Sequence, residues 1–191
     1  MYTYPLTDTA TLRPLEPWRA EEFLAHLDRA RVHIAPWVGP GFVATDLDSA
    51  RTVLRRYADA VSSGGGGIHG IWLDGTLVGG VLFVSLDSAS GVCEVGCWLE
   101  PAAEGRGLVT RAIRLLIDWA VRDRGMHRVE WHTLATNERS IHVAQRLGMR
   151  RDGVMRQSVP ARDGSGTRAD LEVWSILAHE WLSAAEGGRT P

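Results

Sequence analysis

A glycine-rich turn, Glu104-Gly105-Arg106-Gly107-Leu108-Val109, joins a strand-like segment to a long amphipathic helix near the middle of the chain. Such a turn leaves the first N–H groups of the helix without backbone acceptors, and the helix dipole adds partial positive charge at the same end. A pyrophosphate fits a site of this kind. The turn lacks the lysine of a Walker loop and the third glycine of a dinucleotide fingerprint. The sequence therefore predicts a phosphate site whose ligand depends on what surrounds it.

The chain has 191 residues, which is enough for one domain with its own core. We expect a single domain over residues 1–182 and a frayed tail over residues 183–191. A formal net charge of -2 argues against a nucleic-acid partner. No apolar run reaches membrane-span length, and no basic region followed by a hydrophobic stretch opens the chain. These features predict a cytoplasmic protein that acts away from membranes and nucleic acids.

All 21 basic residues are arginine, which excludes chemistry through a lysine Schiff base. Cys93 and Cys97 fall on one face of one predicted strand. Residues that far apart along an extended strand exceed the roughly 7 Å limit between Cα atoms for a disulfide. Two thiols are also too few for a closed metal site. We therefore expect reduced thiols and no metal.

Apolar periodicity and turn residues predict the order of elements. The first helix is followed by an ordered loop over residues 33–43, and Asp46 is expected to cap the second helix. Asp74-Gly75 is a hairpin turn, and Gly148 ends the last helix. The expected strands are 11–15, 68–73, 76–86, 92–99, 128–133, 149–160 and 168–178, and the expected helices are 17–30, 47–60, 108–120 and 138–147. This order predicts a mixed α/β (α+β) fold in which a largely antiparallel sheet of about seven strands is flanked by about four helices.

Four segments, in order along nearly the whole chain, resemble the GNAT N-acetyltransferase superfamily and its branch of Rim-type ribosomal-protein N-terminal acetyltransferases. The segments are Leu12-Arg13-Pro14-Leu15 with Trp37, Cys93-Glu94-Val95-Gly96-Cys97-Trp98-Leu99-Glu100-Pro101, the turn Glu104–Thr110, and Asn137-Glu138-Arg139-Ser140 followed by Arg146-Leu147-Gly148-Met149. The resemblance implies a GNAT-like fold and an N-acetyltransferase that uses acetyl-CoA as its co-substrate. It also implies direct attack by a primary amine in a ternary complex, and a homodimer or higher homo-oligomer, since related enzymes often pair.

The resemblance also assigns the residues that hold acyl-CoA. They are Trp98, Leu99, Glu104, Gly105, Arg106, Gly107, Leu108, Val109, Thr110, Asn137, Ser140 and Arg146. Glu104 stands where glutamine or arginine is usual, and Val109 where a small residue is usual. We expect weaker but not abolished pyrophosphate binding, with Arg106 and Arg111 compensating. The tyrosine that serves many GNAT enzymes as the thiolate acid is replaced by Ala144.

Two residues are the catalytic candidates. Glu94 is expected to be the general base and to face the acceptor, and the alternative is a half-buried carboxylate in a structural hydrogen bond or ion pair. Ser140 is expected to stabilise or protonate the leaving thiolate, and helix capping is the alternative explanation. Trp37, Glu94 and Cys97 are expected to line the acceptor site. His132 and His142 have no evident partner in the sequence, and we expect both to be structural.

The acceptor expected from this reasoning is a protein N-terminus or a small amine. An α-amine, with a pKa of roughly 7.7–8.0, is partly neutral in the cell, whereas a lysine near 10.4 asks more of the base. Three alternatives remain open at this stage. They are a larger donor such as succinyl-CoA, a non-catalytic acyl-CoA-binding module on the same fold, and a nucleotide-binding domain that uses the turn for ATP.

Overall fold

The computed structural model describes residues 3–162 and 165–187, and an eight-stranded sheet runs through that part of the chain. The strands are β1 Tyr4–Pro5, β2 Ala10–Pro14, β3 Ile68–Leu73, β4 Thr76–Asp87, β5 Val92–Leu99, β6 Arg128–Leu134, β7 Arg150–Pro160 and β8 Arg168–Leu177. They lie in the order β1-β2-β3-β4-β5-β6-β8-β7. The β5–β6 pair is parallel and every other pair is antiparallel. The predicted mixed, largely antiparallel fold is confirmed.

Five α-helices cover the two faces of the sheet in the described residues. They are α1 Ala20–Ile34, α2 Leu47–Ser62, α3 Leu108–Arg122, α4 Glu138–Arg146 and α5 Ala178–Gly187. Helices α1 and α2 share one buried apolar cluster with β3 and β4, while α3, α4 and α5 share the other with the central strands. Asp46 caps α2 as predicted, its carboxylate accepting from the backbone N–H of Ser49. None of these helices combines the length and the apolar character needed to cross a membrane.

Helix α5 differs from the sequence-based expectation, which placed a frayed tail from residue 183. Residues 183–187 are helical, and residues 188–191 lie outside the described residues. Trp181 anchors the helix to α3, because its indole N–H donates to Oδ1 of Asp118 over 2.7 Å. Ala178, Trp181, Leu182 and Ala185 stand at helical spacing, so the sequence did carry a signal for this helix, and the prediction overlooked it. Residues 163 and 164, which fall between the predicted strands 149–160 and 168–178, also lie outside the described residues.

The central parallel pair parts soon after it forms. β5 and β6 are paired only from Val92 to Glu94 and from Arg128 to Glu130, yet both strands continue well beyond that point. Past Glu94, one edge of β5 therefore faces a gap instead of a neighbouring strand. This gap is the place in the fold where a ligand can enter between two strands of the sheet.

Candidate active site

A cleft of about 900 Å³ occupies the gap between β5 and β6. The glycine turn and the N-terminal end of α4 form one side, and the end of α1 with the loop after it forms the other. Of the residues predicted from the sequence, those lining the cleft are Trp37, Glu94, Cys97, Trp98, Leu99, Glu104, Gly105, Gly107, Leu108, Val109, Thr110, Asn137, Ser140 and Arg146. Arg106 is exposed and is not part of the wall. The structure therefore brings all the predicted residues except Arg106 together in one cleft.

The glycine turn presents unpaired N–H groups to one end of the cleft. Gly105 and Gly107 adopt positive φ angles of 75° and 71°, which lets the chain turn sharply into α3. In the described structure, no protein acceptor is hydrogen-bonded to the backbone N–H groups of residues 105–110. These donors and the N-terminal end of the α3 dipole together form an anion site.

The carboxylate of Glu104 is engaged in a cluster beside this anion site. Its Oε1 lies 2.8 Å from Nε2 of His33 at the end of α1 and 3.7 Å from Nη1 of Arg139 on α4. Arg139 Nη1 also lies 3.3 Å from the same His33 nitrogen. The second departure from the family pattern, Val109, buries its side chain in the core under α3.

A row of charged side chains lies where β5 and β6 part. His132 Nδ1 is 3.4 Å from Oε2 of Glu94, and His132 Nε2 is 3.0 Å from Oε2 of Glu130. Arg128 continues the row, its Nε donating to Oε1 of Glu130 over 2.6 Å and its Nη2 to Asp152. Burial raises the pKa of Glu94; the nearby His132 opposes this rise and the Glu130 charge adds to it. A half-buried carboxylate beside an imidazole is an arrangement that can accept a proton.

His132 is the functional candidate that the sequence analysis missed, because it was expected to be an isolated structural histidine. The ring is not isolated, since two carboxylates bracket it inside the cleft. A signal was present: Arg128, Glu130 and His132 alternate along β6 and so share one face. The parallel register then sets Glu94 directly beside Glu130. Nothing in the sequence revealed that register.

Ser140 and Asn137 lie at the start of α4 on the far side of the cleft. Asn137 is the N-cap, its Oδ1 accepting from the backbone N–H of Ser140 over 3.3 Å. Oγ of Ser140 accepts from the indole N–H of Trp131 over 2.9 Å. Among the described groups this hydroxyl donates to none, so its own proton is available to a ligand.

The two faces of β5 are lined differently. Glu94 and Trp98 share the face toward α1, where the Trp98 indole N–H donates to Nε2 of the buried His26 over 3.1 Å. Cys97 lies on the opposite face and packs toward α3, and burial raises the pKa of its thiol to about 12. Both cysteines are free, as expected. Ala144 is fully buried in the core, so no side chain reaches the cleft from that position.

The described residues contain no group of three or more histidine, cysteine, aspartate or glutamate side chains arranged to hold a metal ion. The lining of the cleft supplies carboxylates, imidazoles, the Cys97 thiol, the Ser140 hydroxyl and the row of N–H donors. Donors for an anion, a base beside a gap in the sheet and a hydroxyl opposite it are the parts that acyl transfer from a thioester to an amine requires.

Comparisons with known proteins agree with this chemistry. A family model described as an acetyltransferase (GNAT) domain matches residues 10–150. The chain is 30% identical over 190 residues to a putative ribosomal N-acetyltransferase, YdaF, of Bacillus subtilis (strain 168), covering 95% of this chain and 98% of the relative.

Solved structures share the fold. A probable acetyltransferase superposes with a TM-score of 0.83 at 27% identity, covering 95% of this chain and 99% of the other. The ribosomal L7/L12 α-N-protein acetyltransferase RimL in complex with coenzyme A superposes with a TM-score of 0.83 at 17% identity, covering 92% and 97%. At that identity the second likeness shows the fold alone. The family model and the full-length relative together establish that the chain is an N-acetyltransferase belonging to the GNAT family, in its Rim-type branch.

Proposed function

We propose that this enzyme transfers an acetyl group from acetyl-CoA to the N-terminal amine of a protein by direct attack in a ternary complex. The observation that carries the proposal is the position of the Glu94–His132 pair. It lies where β5 and β6 part, in the same cleft that ends at the unpaired N–H groups of the glycine turn. The Bacillus subtilis relative is named a putative ribosomal N-acetyltransferase, which favours a protein acceptor over a small amine.

The donor side of the cleft suits acetyl-CoA. The N–H groups of residues 105–110 would receive the pyrophosphate, and the exposed Arg146 on the cleft wall adds positive charge nearby. The free edge of β5 beyond Glu94 carries main-chain donors and acceptors that match the amides of the pantetheine arm. When bound there, acetyl-CoA supplies the thioester carbonyl that the amine attacks.

Glu94 and His132 would accept the proton that the attacking amine must lose. The pKa of Glu94 is raised by burial, which brings it closer to that of an α-amine and improves it as a base. His132 bridges Glu94 to Glu130, so a proton taken at Glu94 can pass along the row. An α-amine, already partly neutral near pH 7, needs only a base of this modest strength.

Ser140 would serve the leaving group. As the C–N bond forms and the C–S bond breaks, the departing sulfur takes up negative charge. The Ser140 hydroxyl, held by Trp131 through its oxygen, has its proton free to donate to that sulfur. The amine proton leaves to the Glu94–His132 pair, and the thiol gains a proton from Ser140. The Ser140 hydroxyl then regains a proton from solvent while the Glu94–His132 pair releases one to it, so the reaction balances as amide plus free thiol and the enzyme is restored.

The proposal is tested by measuring free-thiol release from acetyl-CoA with N-terminal peptides, a polyamine and an amine without a peptide bond. We expect turnover of peptides, and a fall in kcat/KM of about 10²-fold or more in Glu94→Gln. CoA affinity, measured by calorimetry, should be unchanged in that variant. Glu21→Gln, on the exposed face of α1, is the matched control and should behave as the parent protein.

Three results would contradict the proposal. CoA binding without turnover of any amine, together with an unaffected Glu94→Gln variant, would favour an acyl-CoA-binding module. Faster turnover with succinyl-CoA than with acetyl-CoA would mean that acetyl-CoA is not the preferred donor. Turnover of the polyamine alone would mean that the acceptor is a small amine and not a protein N-terminus.

A further inference from the structure

A second groove, of about 790 Å³, adjoins the acceptor side of the cleft. Arg56, Tyr57 and Val84 line both, so the two are continuous. One wall of the groove is the end of β4, and the other is the end of α2 with the glycine run that follows.

The β4 wall of this groove is a free strand edge. β3 begins at Ile68, opposite Leu82, and Phe83 makes the last hydrogen bond on that side, to the carbonyl of Gly67. Residues 85–87 of β4 therefore pair with β5 only. Val84 is the extra residue of a bulge in the β4–β5 ladder, and its side chain is 55% exposed. An open edge of this kind is a template for a further strand.

The opposite wall is built so that it leaves this edge open. A Cβ on Gly66 would lie 2.2 Å from Cβ of Phe83, so only glycine lets the chain cross so closely there on its way into β3. Arg124 links the two walls, its Nη2 donating to the carbonyl of Gly64 over 2.5 Å and to Oγ of Ser88 over 3.4 Å. Arg124 thus closes the groove at its Ser88 end, and the open edge of β4 lies between that contact and Phe83.

We infer that this groove binds the polypeptide behind the acceptor amine as an added β-strand along residues 84–87. The inference rests on the proposed function, and it specifies an acceptor presented on an extended chain. Ser85 is the cross-strand partner of Glu94, so the groove lies beside the catalytic pair. Strands are about 4.8 Å apart, which places the free edge about 10 Å from the gap at β5 and β6. About three extended residues span that distance, and the residues after them reach the edge.

Main-chain pairing makes this recognition independent of sequence. The free N–H and C=O groups of β4 would bond to the backbone of the bound segment, whatever its side chains. A small amine or a peptide of about three residues would fill only the cleft. The groove would thus make the enzyme select proteins with an extended N-terminal segment over small-molecule amines.

The test is kcat/KM for peptides that share their first residues and differ in length, from about three to about eight residues. We expect about a tenfold gain for the long peptide. Ser63→Trp fills the groove from the α2 side and should remove this gain without changing turnover of the short peptide. Ser62→Trp, the neighbouring exposed residue outside the groove, is the control and should keep the gain. A long peptide N-methylated at the residues beyond the third should lose the gain, because it cannot pair with β4.

The possible failures are distinguishable. Equal kcat/KM for the short and the long peptide, or an unaltered gain in Ser63→Trp, would mean that the groove does not bind the acceptor chain. The proposed peptide acetylation would still stand. Absence of turnover with the short peptide as well would overturn the proposed function and the groove together. If Ser63→Trp instead converts a dimer to a monomer in sedimentation and leaves the length effect unchanged, the edge belongs to a second copy of the chain and the inference is wrong.

Discussion

His33 and Glu104 join the acceptor side of the cleft to the donor side, with Nε2 of the histidine 2.8 Å from Oε1 of the carboxylate. His33 lies in the last turn of α1, and Glu104 opens the glycine turn that precedes α3. Arg139 of α4 lies 3.7 Å from the same carboxylate oxygen and shares the charge. A glutamate next to the anion site is thus engaged by two nitrogen-bearing side chains.

The first prediction concerns Glu104→Gln. The amide keeps a hydrogen bond to His33 but removes one negative charge near the pyrophosphate site. We expect CoA to bind equally or up to about fivefold more tightly, with the difference fading as salt rises, because the exposed charge is screened. Calorimetry with CoA at low and high salt measures this. Markedly weaker binding in Glu104→Gln would mean that the carboxylate itself supports the cofactor.

The second prediction compares Gly107→Ala with Gly148→Ala. Both glycines have positive φ, 71° and 77°, and open space around the missing Cβ, so each substitution costs about 1–2 kcal/mol of stability through backbone strain alone. Only Gly107 belongs to the anion site, so only Gly107→Ala should weaken CoA binding, by about tenfold. Urea unfolding and CoA titration of both variants separate the effects. Equal CoA affinity in the two variants would mean that the N–H groups of the turn do not bind the phosphate.

The third prediction concerns Ser140→Ala. Loss of the hydroxyl should lower kcat by about 10²-fold and leave the KM for acetyl-CoA within about threefold, because the donated proton matters only as the thiolate leaves. Asn137→Ala is the control for helix capping and should cost about 1 kcal/mol of stability, with a much smaller loss of kcat. If the two variants lose kcat equally, the role of Ser140 is to shape the start of α4.

The parts of the site that local pattern encodes were predictable from the sequence. The glycine turn, the helix after it and the Asp46 cap each depend on residues within a few positions of one another. The Glu94–His132 pair was not predictable, because it depends on a parallel register between strands that are separated by a helix. Contacts such as His33–Glu104 depend likewise on how α1 docks on the sheet.

The contacts of His26 in the core were likewise not predictable from the sequence. It is fully buried on α1, accepts from the Trp98 indole at Nε2, and therefore carries its proton on Nδ1, which lies 3.3 Å from Oε2 of Glu100. Burial lowers its pKa to about 4. The neutral ring thus fixes both the cleft wall at Trp98 and the residue just before the turn that leads into the anion site. Three separate segments meet at this one ring.

The fourth prediction is a loss of stability in acid that depends on His26. Its pKa falls from 6.5 to about 4 on folding, so the unfolded chain binds more protons between these values. The stabilisation is complete above 6.5 and disappears as the pH falls toward 4. Linkage gives a loss of about 2 kcal/mol from this group between about pH 7 and pH 5. His69, also buried and with its pKa lowered to about 4, adds a similar loss.

Urea unfolding at about pH 7 and about pH 5 measures how much the free energy of unfolding falls between the two values. We expect this fall to be smaller by about 2 kcal/mol in His26→Gln and unchanged in His142→Gln, an exposed histidine of α4. An unchanged dependence in His26→Gln would mean that His26 is not the neutral buried group that joins Trp98 to Glu100.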